Sequence, residues 1–88
     1  MKTIFKYEIV GSHRYVIHLP VSAHVVLFGV DGRGTRCLWV EQDANPNADK
    51  VPRSFKVYGT GSTIEENDLH HGSYVAPDGY VWHLYECF

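Results

Sequence analysis

The chain has 88 residues, of which 44% are hydrophobic, 14% aromatic and 20% charged, with a formal net charge of −2. This length allows one domain, residues 1–88, and the composition is too apolar and too weakly charged for a disordered chain. Because the sequence has no basic stripe, we do not expect it to bind nucleic acid, whose phosphate backbone is recognised by clustered Lys and Arg.

The N-terminal segment, MKTIFKYEIV, alternates apolar and polar side chains, which predicts a half-buried strand. Phe5, Tyr7 and Ile9 lie on one face of this strand. Lys6 and Glu8 lie on the other. The segment lacks the apolar core of a signal peptide, and no stretch of the sequence reaches about 18 apolar residues. We therefore expect a cytosolic protein that does not cross a membrane.

A second strand, YVIHLP, follows a turn at residues 11–14. Tyr15, Ile17 and Leu19 lie on one face of it, and Pro20 ends it because proline cannot donate a hydrogen bond to a neighbouring strand. Since only a short turn separates the first two strands, we predict that they pair as a hairpin.

The next strand contains the run VVLFGV, which is nearly all apolar. Strict alternation places Val26, Phe28 and Val30 on one face and Val25 and Leu27 on the other. A strand that is apolar on both faces is typical of one covered on both sides, or of one in a closed sheet.

The segment Asp31–Gly34, DGRG, is a strong hairpin signal because both of its glycines can take a positive φ. The return strand, TRCLWVEQ, places Cys37 and Trp39 on the face opposite Leu38. The two cysteines, Cys37 and Cys87, are too few for a disulfide scaffold and do not have the spacing of a zinc site. We expect both to be reduced and to act as small hydrophobic residues in strands.

The second half of the chain contains two more strand regions separated by polar segments. Asp43–Pro52 is predicted to be a long polar loop. A strand, RSFKVYG, follows with Phe55 and Val57 on one face. The last hairpin turns at Ala76–Gly79 and continues into a long strand at Tyr80–Phe88, which is apolar on both faces.

Between these strands, the segment STIEEND favours a single helical turn, because Ser62 or Thr63 followed by Glu65 or Glu66 resembles a capping box. The segment is too short for a helix that is stable by itself. Strand signals at intervals of about 8–12 residues are typical of small β-structures. We therefore predict an all-β fold, a small antiparallel β-sandwich or partly open barrel of six to seven strands with at most one short helical turn.

The Gly59–Gly61 loop follows a predicted strand, as phosphate-binding loops do. Such loops usually open a helix and carry a lysine after the glycines, whereas Lys56 precedes them here. The favoured interpretation is a turn that needs a positive φ. A cradle of backbone amides for a phosphate, nucleotide or carboxylate remains the alternative.

Six histidines in this chain raise the question of a metal site. His70 and His71 are adjacent, so in an extended strand they face opposite ways and do not easily share one ion. One of them with His83 and either Asp68 or Glu66 is a conceivable set of zinc ligands. Because no ligand pair has the usual short spacing, we predict no metal site and no other cofactor.

Nucleophilic catalysis requires a Ser or Cys, a His and an orienting carboxylate. Ser62 or Cys87 with His83 and Glu86 would supply these types. Their spacing does not match a known catalytic motif, and a chain of 88 residues is small for an active site that excludes water. We therefore assign no catalytic residues and expect that the protein is not an enzyme.

The aromatic residues are a stronger indication of function. Trp and Tyr side chains are numerous for such a small core, and they are the residues that anchor protein interfaces. A host or phage protein, or a second copy of the chain in a homodimer, is the expected partner. The candidate ligand- or partner-binding residues are Tyr58, Gly59, Thr60, Gly61, Ser62, His70, His71, Tyr74, Trp82 and His83.

Five segments in order, MKTIFKYEI, IHLP, CLWV, FKVYGTG and GYVWHLYE, resemble a family of short proteins found in tailed phages and prophages. The resemblance extends from Met1 to about Glu86. It is most specific at VYGTG, residues 57–61, and at VWHLYE, residues 81–86. It implies a compact all-β domain and a phage context, hence the host cytoplasm, and it supplies no catalytic residues.

We therefore expect a non-enzymatic binding module encoded by a phage. It would contact a host protein, such as a component of a CRISPR or other defence system, and inhibit it. One alternative is a protein that binds or sequesters a nucleotide or another small anion at the Gly59–Gly61 loop. Another is a minor virion or assembly protein that uses the same aromatic surface for contacts between subunits.

Overall fold

A computed structural model describes residues 1–11 and 14–88, which form seven β-strands in two antiparallel sheets packed face to face. One sheet has the strand order β1-β4-β3 and the other the order β2-β5-β7-β6. The predicted all-β sandwich is confirmed. The strands are β1 (Lys2–Glu8), β2 (Tyr15–Pro20), β3 (His24–Val30), β4 (Arg36–Asp43), β5 (Lys50–Gly59), β6 (Leu69–Val75) and β7 (Val81–Cys87).

The core lies between the two sheets, where the faces predicted for β2 and β5 point inward. β1 is less buried than predicted, because Phe5 is 43% exposed. Phe55, Leu84, Leu38, Val40 and Leu19 are completely buried in the core. Burial of each such side chain stabilises the fold by about 1.5–3 kcal/mol. The side chains between them on each strand point to the outer faces of the sheets, so the alternation of the sequence determines which residues remain available for contacts.

The first two strands do not form the predicted hairpin. β1 pairs with β4 in the three-stranded sheet, and β2 pairs with β5 in the four-stranded sheet. The chain crosses between sheets after β1, where Ile9 is buried and its N–H donates to the carbonyl of Arg36 at 2.9 Å. Residues 12–13 of the predicted turn lie outside the described residues.

The predicted facing of β3 is also wrong, because a β-bulge interrupts it between Val25 and Leu27. The extra residue shifts the alternation, so that Val25 and Phe28 both face the core while Val26 is exposed. β3 is an edge strand whose outer side is open: Leu27 is 56% exposed, so the strand is not covered on both faces.

The hairpin turns at residues 31–34 and 76–79 are confirmed. Gly34 and Gly79 take positive φ values of 80° and 89°. In the first turn, the Asp31 carboxylate accepts two backbone amide hydrogen bonds and one from Lys6 Nζ at 3.0 Å. The hydrogen bond from Lys6, followed by those amide bonds, lowers the pKa of Asp31 to about 2.

The polar connections are shorter and less regular than predicted. β4 and β5 extend into the predicted loop Asp43–Pro52, leaving residues 44–49 between them. Pro52 lies inside β5, beyond the end of its pairing with β7, so its missing N–H breaks no bond to that strand. The helical turn expected from STIEEND is not formed; Asp68 N–H instead donates to the Glu65 carbonyl in a β-turn.

Candidate functional site

A row of hydrogen-bonded polar side chains crosses the outer face of the four-stranded sheet. Thr60 Oγ1 lies 3.0 Å from His83 Nε2. Ser73 Oγ lies 2.6 Å from His83 Nδ1 and 2.8 Å from His70 Nε2. Ser73 and His83 are direct partners in the β6–β7 ladder, which explains their contact. We refer to Thr60, His83, Ser73 and His70 as the polar row.

The hydrogen bonds of the polar row have a consistent direction. The Thr60 hydroxyl also donates to the Val81 carbonyl at 3.3 Å, so Thr60 Oγ1 accepts from the N–H at His83 Nε2. A neutral imidazole then has its lone pair at Nδ1, where it accepts the Ser73 hydroxyl proton. Ser73 Oγ in turn accepts from His70 Nε2. Each hydrogen bond within the polar row therefore has one donor and one acceptor. The row ends at His70, whose Nδ1 lone pair takes no part in these bonds.

Aromatic side chains flank the polar row on the same face. The ring of Tyr85 lies 5.1 Å from that of His70 and packs edge-on against Tyr58 at 5.4 Å. Lys56 Nζ lies 5.0 Å from the centre of the Tyr58 ring. Tyr58 is itself buried and donates to Asp68 Oδ2 at 2.8 Å, and burial is the main reason that its pKa is raised. Tyr85 therefore lies beside the polar row on this face.

The Gly59–Gly61 loop is a tight turn at the edge of that face. Ser62 N–H donates to the Gly59 carbonyl at 3.1 Å, and Gly61 has a φ of 94°, as a type II turn requires at its third position. Thr60 N–H donates to Val81. The amides of Thr60 and Ser62 already donate to carbonyl groups of the chain. An anion bound at this loop would have to compete with those carbonyls. A small cavity of about 180 Å³ lies between this loop, Ile64, His83 and Tyr85.

His71 is separated from its neighbour His70 by the sheet, as predicted. A bulge in β6 turns His71 to the inner face, where Nε2 lies 2.8 Å from Glu86 Oε1. Arg53 binds both carboxylate oxygens of Glu86 at 2.8 Å and donates to the Ala23 carbonyl at 2.6 Å. The hydrogen bonds from Arg53, and then that from His71, hold the pKa of Glu86 below its ordinary value against the opposing effect of burial.

Tyr74 and Trp82 also lie on the inner face, away from the polar row. The guanidinium carbon of Arg36 lies 4.7 Å from the centre of the Trp82 ring, and Arg36 Nε donates to the Tyr74 hydroxyl at 3.1 Å. The ten predicted binding residues therefore divide between two faces of one sheet. The loop with His70 and His83 is on the outer side, while His71, Tyr74 and Trp82 are on the inner side.

The structure does not assemble the nucleophilic or metal sets considered from the sequence. His83 is on the outer face, whereas Glu86 is on the inner face in its pair with Arg53. Cys37 and Cys87 are buried free thiols, as predicted, and burial raises the pKa of both, which disfavours the reactive thiolate. Within residues 1–11 and 14–88, no three His, Cys, Asp or Glu side chains are arranged to hold a metal ion.

Sequence reasoning missed Ser73, Arg53 and the role of Glu86. Counting outward from a turn at residues 76–79 would place Ser73 opposite Trp82. The hairpin instead closes with the hydrogen bond from Ala76 N–H to the Tyr80 carbonyl, which brings Ser73 opposite His83. The pairing of Arg53 with Glu86 depends on the β5–β7 register, which no local turn determines.

Comparison with known proteins yields a family match. Residues 1–87 match the family described as "Domain of unknown function (DUF7352)". No curated protein and no solved structure matches the chain. None of the residues that the structure describes belongs to a helix long and apolar enough to span a membrane.

Proposed function

The chain belongs to the DUF7352 family, and we propose that it is a non-enzymatic binding module that holds a partner protein against the outer face of its four-stranded sheet. The observation that carries this proposal is the polar row, whose side chains are fixed by hydrogen bonds on an open sheet surface. Side chains that are already ordered lose less conformational entropy when a partner binds.

The composition of the face supports a protein as the ligand. Tyr, Ser and His offer both apolar area and hydrogen bonds, and tyrosine anchors with small polar neighbours are typical of protein-recognition surfaces. Tyr85 provides such an anchor beside His70. The nearby cavity of about 180 Å³ is smaller than typical small-molecule sites, which occupy about 300–1,000 Å³.

The phage resemblance of the sequence motifs supports a more specific form of this proposal. In it, the partner is a protein of the bacterial host, such as a component of a defence system, and binding inhibits that protein.

Affinity capture with matched variants tests the proposal. The tagged wild-type chain, a Ser73→Arg variant and an Asn47→Arg control are incubated with a lysate of phage-susceptible bacteria. Both substituted residues are exposed, and Asn47 lies in the β4–β5 connection. We expect one host protein to be retained by the wild type and the control and lost by Ser73→Arg. Retention by all three, or by none, would contradict the proposal.

Binding of a small anion is a second candidate function, because the structure brings the Gly59–Gly61 loop and His83 to one cavity. A thermal-shift panel of nucleotides and inorganic phosphate tests it. A concentration-dependent rise in Tm that is lost in His83→Ala supports this function, since a ligand that binds only the folded state stabilises it. An unchanged Tm across the panel excludes it.

A further inference from the structure

We infer that Arg36, at the end of the sandwich near both hairpin turns, is a binding site for a carboxylate side chain in an acidic segment of a partner protein. The site consists of Arg36, Trp82, Tyr74 and Tyr80. It lies on the inner side of the four-stranded sheet, so it is distinct from the polar row and does not depend on the function proposed above.

Two contacts fix the plane of the Arg36 guanidinium. Its carbon lies 4.7 Å from the centre of the Trp82 ring, and its Nε donates to the Tyr74 hydroxyl at 3.1 Å. The ring of Trp82 packs against Gly59, where an added Cβ would be 3.3 Å from Cζ3. Tyr74 packs edge-on against the core residue Phe28 at 5.0 Å. The cation is therefore held by groups that are anchored in the core.

The charge of Arg36 is not neutralised within the described part of the chain. Arg53, the other arginine that packs between the sheets, is matched by Glu86, whereas no carboxylate lies within 4.0 Å of Arg36. No buried side-chain nitrogen of the described residues lacks a partner. Because the terminal Nη atoms of Arg36 have no partner among the described residues, they are not fully buried and remain available as hydrogen-bond donors.

This arrangement suits a carboxylate. A planar guanidinium binds a carboxylate through two parallel hydrogen bonds, and stacking on an aromatic ring orients it for that purpose. Tyr80 is 67% exposed and lies 6.4 Å from Trp82, which adds apolar area for the residues that flank the carboxylate. Arg, Trp and Tyr are also the residues most enriched at the energetic centres of protein interfaces.

A single guanidinium in a chain whose net charge is −2 argues against nucleic acid as the ligand. Binding of a phosphate backbone requires many cations, since its affinity grows with the number of phosphates neutralised. One guanidinium backed by aromatic rings suffices for one carboxylate, whose recognition depends on geometry more than on long-range attraction.

An NMR titration of the full chain tests the inference. The probes are a capped tetrapeptide Ala-Glu-Glu-Ala and its uncharged match Ala-Gln-Gln-Ala, and the reporters are the Arg36 Nε–H and Trp82 Nε1–H resonances. We expect saturable shifts of both resonances with the glutamate peptide and none with the glutamine peptide. Absence of shifts, or equal shifts with both peptides, would overturn the inference.

Two variants distinguish binding of the peptide at Arg36 from nonspecific electrostatic attraction to the chain. Arg36→Lys retains the charge but not the planar fork, so affinity for the glutamate peptide should fall about tenfold or more. Arg33→Gln removes an exposed cation from the neighbouring hairpin and should leave affinity unchanged. Equal losses in the two variants would overturn the inference, as would tighter binding of a single-stranded oligonucleotide than of the peptide. Loss of host-protein capture by Ser73→Arg has no bearing on this titration.

Discussion

Ser73 Oγ and His83 Nδ1 lie 2.6 Å apart across the β6–β7 ladder, on a sheet face that is open to solvent. Ten positions separate the two residues in the chain, and the hairpin between them brings them together. Through this contact, the loop residue Thr60 and the exposed His70 belong to one hydrogen-bonded row on the sheet surface. The proposed binding function depends on this surface.

The hydrogen bonds of the polar row predict the tautomers of two histidines. At about pH 8.5, where imidazole rings are neutral, both His70 and His83 should carry their proton on Nε2. Long-range ¹H–¹⁵N correlation spectra distinguish the two tautomers directly. Ser73→Ala should shift the ring resonances of both histidines and leave those of His18, on β2, unchanged. A proton on Nδ1 of His83 would contradict the assigned direction of the row.

The ion pair of Glu86 with Arg53 should contribute to stability above acidic pH. Glu86→Gln should lower the free energy of unfolding at pH 7 by roughly 2 kcal/mol, because it removes the charge that matches a largely buried guanidinium. Glu41→Gln is the matched control. Its pair with Lys2 is exposed and 3.8 Å long, so its effect should be about 0.5 kcal/mol or less. Urea denaturation measures both.

The same pair predicts a pH dependence. Because the pKa of Glu86 in the folded chain lies below its ordinary value of 4.5, its stabilisation is complete above pH 4.5. This stabilisation is lost as the pH falls through the folded-state pKa. The difference in unfolding free energy between the wild type and Glu86→Gln should therefore shrink as the pH falls below 4.5. A difference that stays constant or grows in acid would show that the carboxylate is not stabilised in this way.

Gly61→Ala should destabilise the chain by about 1 kcal/mol or more, because φ is 94° there and an L-residue with a Cβ is strained at that angle. Gly32→Ala is the control. Gly32 is also in a turn and has open space around it, but its φ is not positive. Urea unfolding measures both changes, because a lower midpoint concentration with an unchanged m-value means a lower free energy of unfolding. Equal effects of the two substitutions would contradict the turn assigned to the loop.

The strands and their inward faces were predictable because alternation has a physical cause: successive side chains in a strand point to opposite sides. Alternation does not identify the partner strand, and for this reason the first two strands were wrongly joined as a hairpin. Val26 was assigned to the wrong face because a β-bulge adds one residue to the strand there. No particular residue type marks that position in the sequence.

The candidate site was predictable only in part. The Gly59–Gly61 turn followed from glycine chemistry, and the separation of His70 from His71 followed from strand geometry. The link from Ser73 to His83 depends on the register of the β6–β7 hairpin, which closes at Ala76 and Tyr80 and not at Ala76 and Gly79. The contact of His71 with Glu86 depends on the register of β6 against β7 and on a bulge within it. Such pairings arise from the packing of the whole sheet.

Site-specific photo-crosslinking in bacterial cells tests the binding surface most directly. The photoreactive residue p-benzoylphenylalanine is placed at Val75, on the outer face beside the polar row, or at the equally exposed Val10; these side chains are 69% and 72% exposed. We expect a discrete crosslink to another protein from position 75, lost in a Ser73→Arg background, and none from position 10. Equal crosslinking from both positions, no product from position 75, or a product only with a second 10.0 kDa copy of the chain would contradict it.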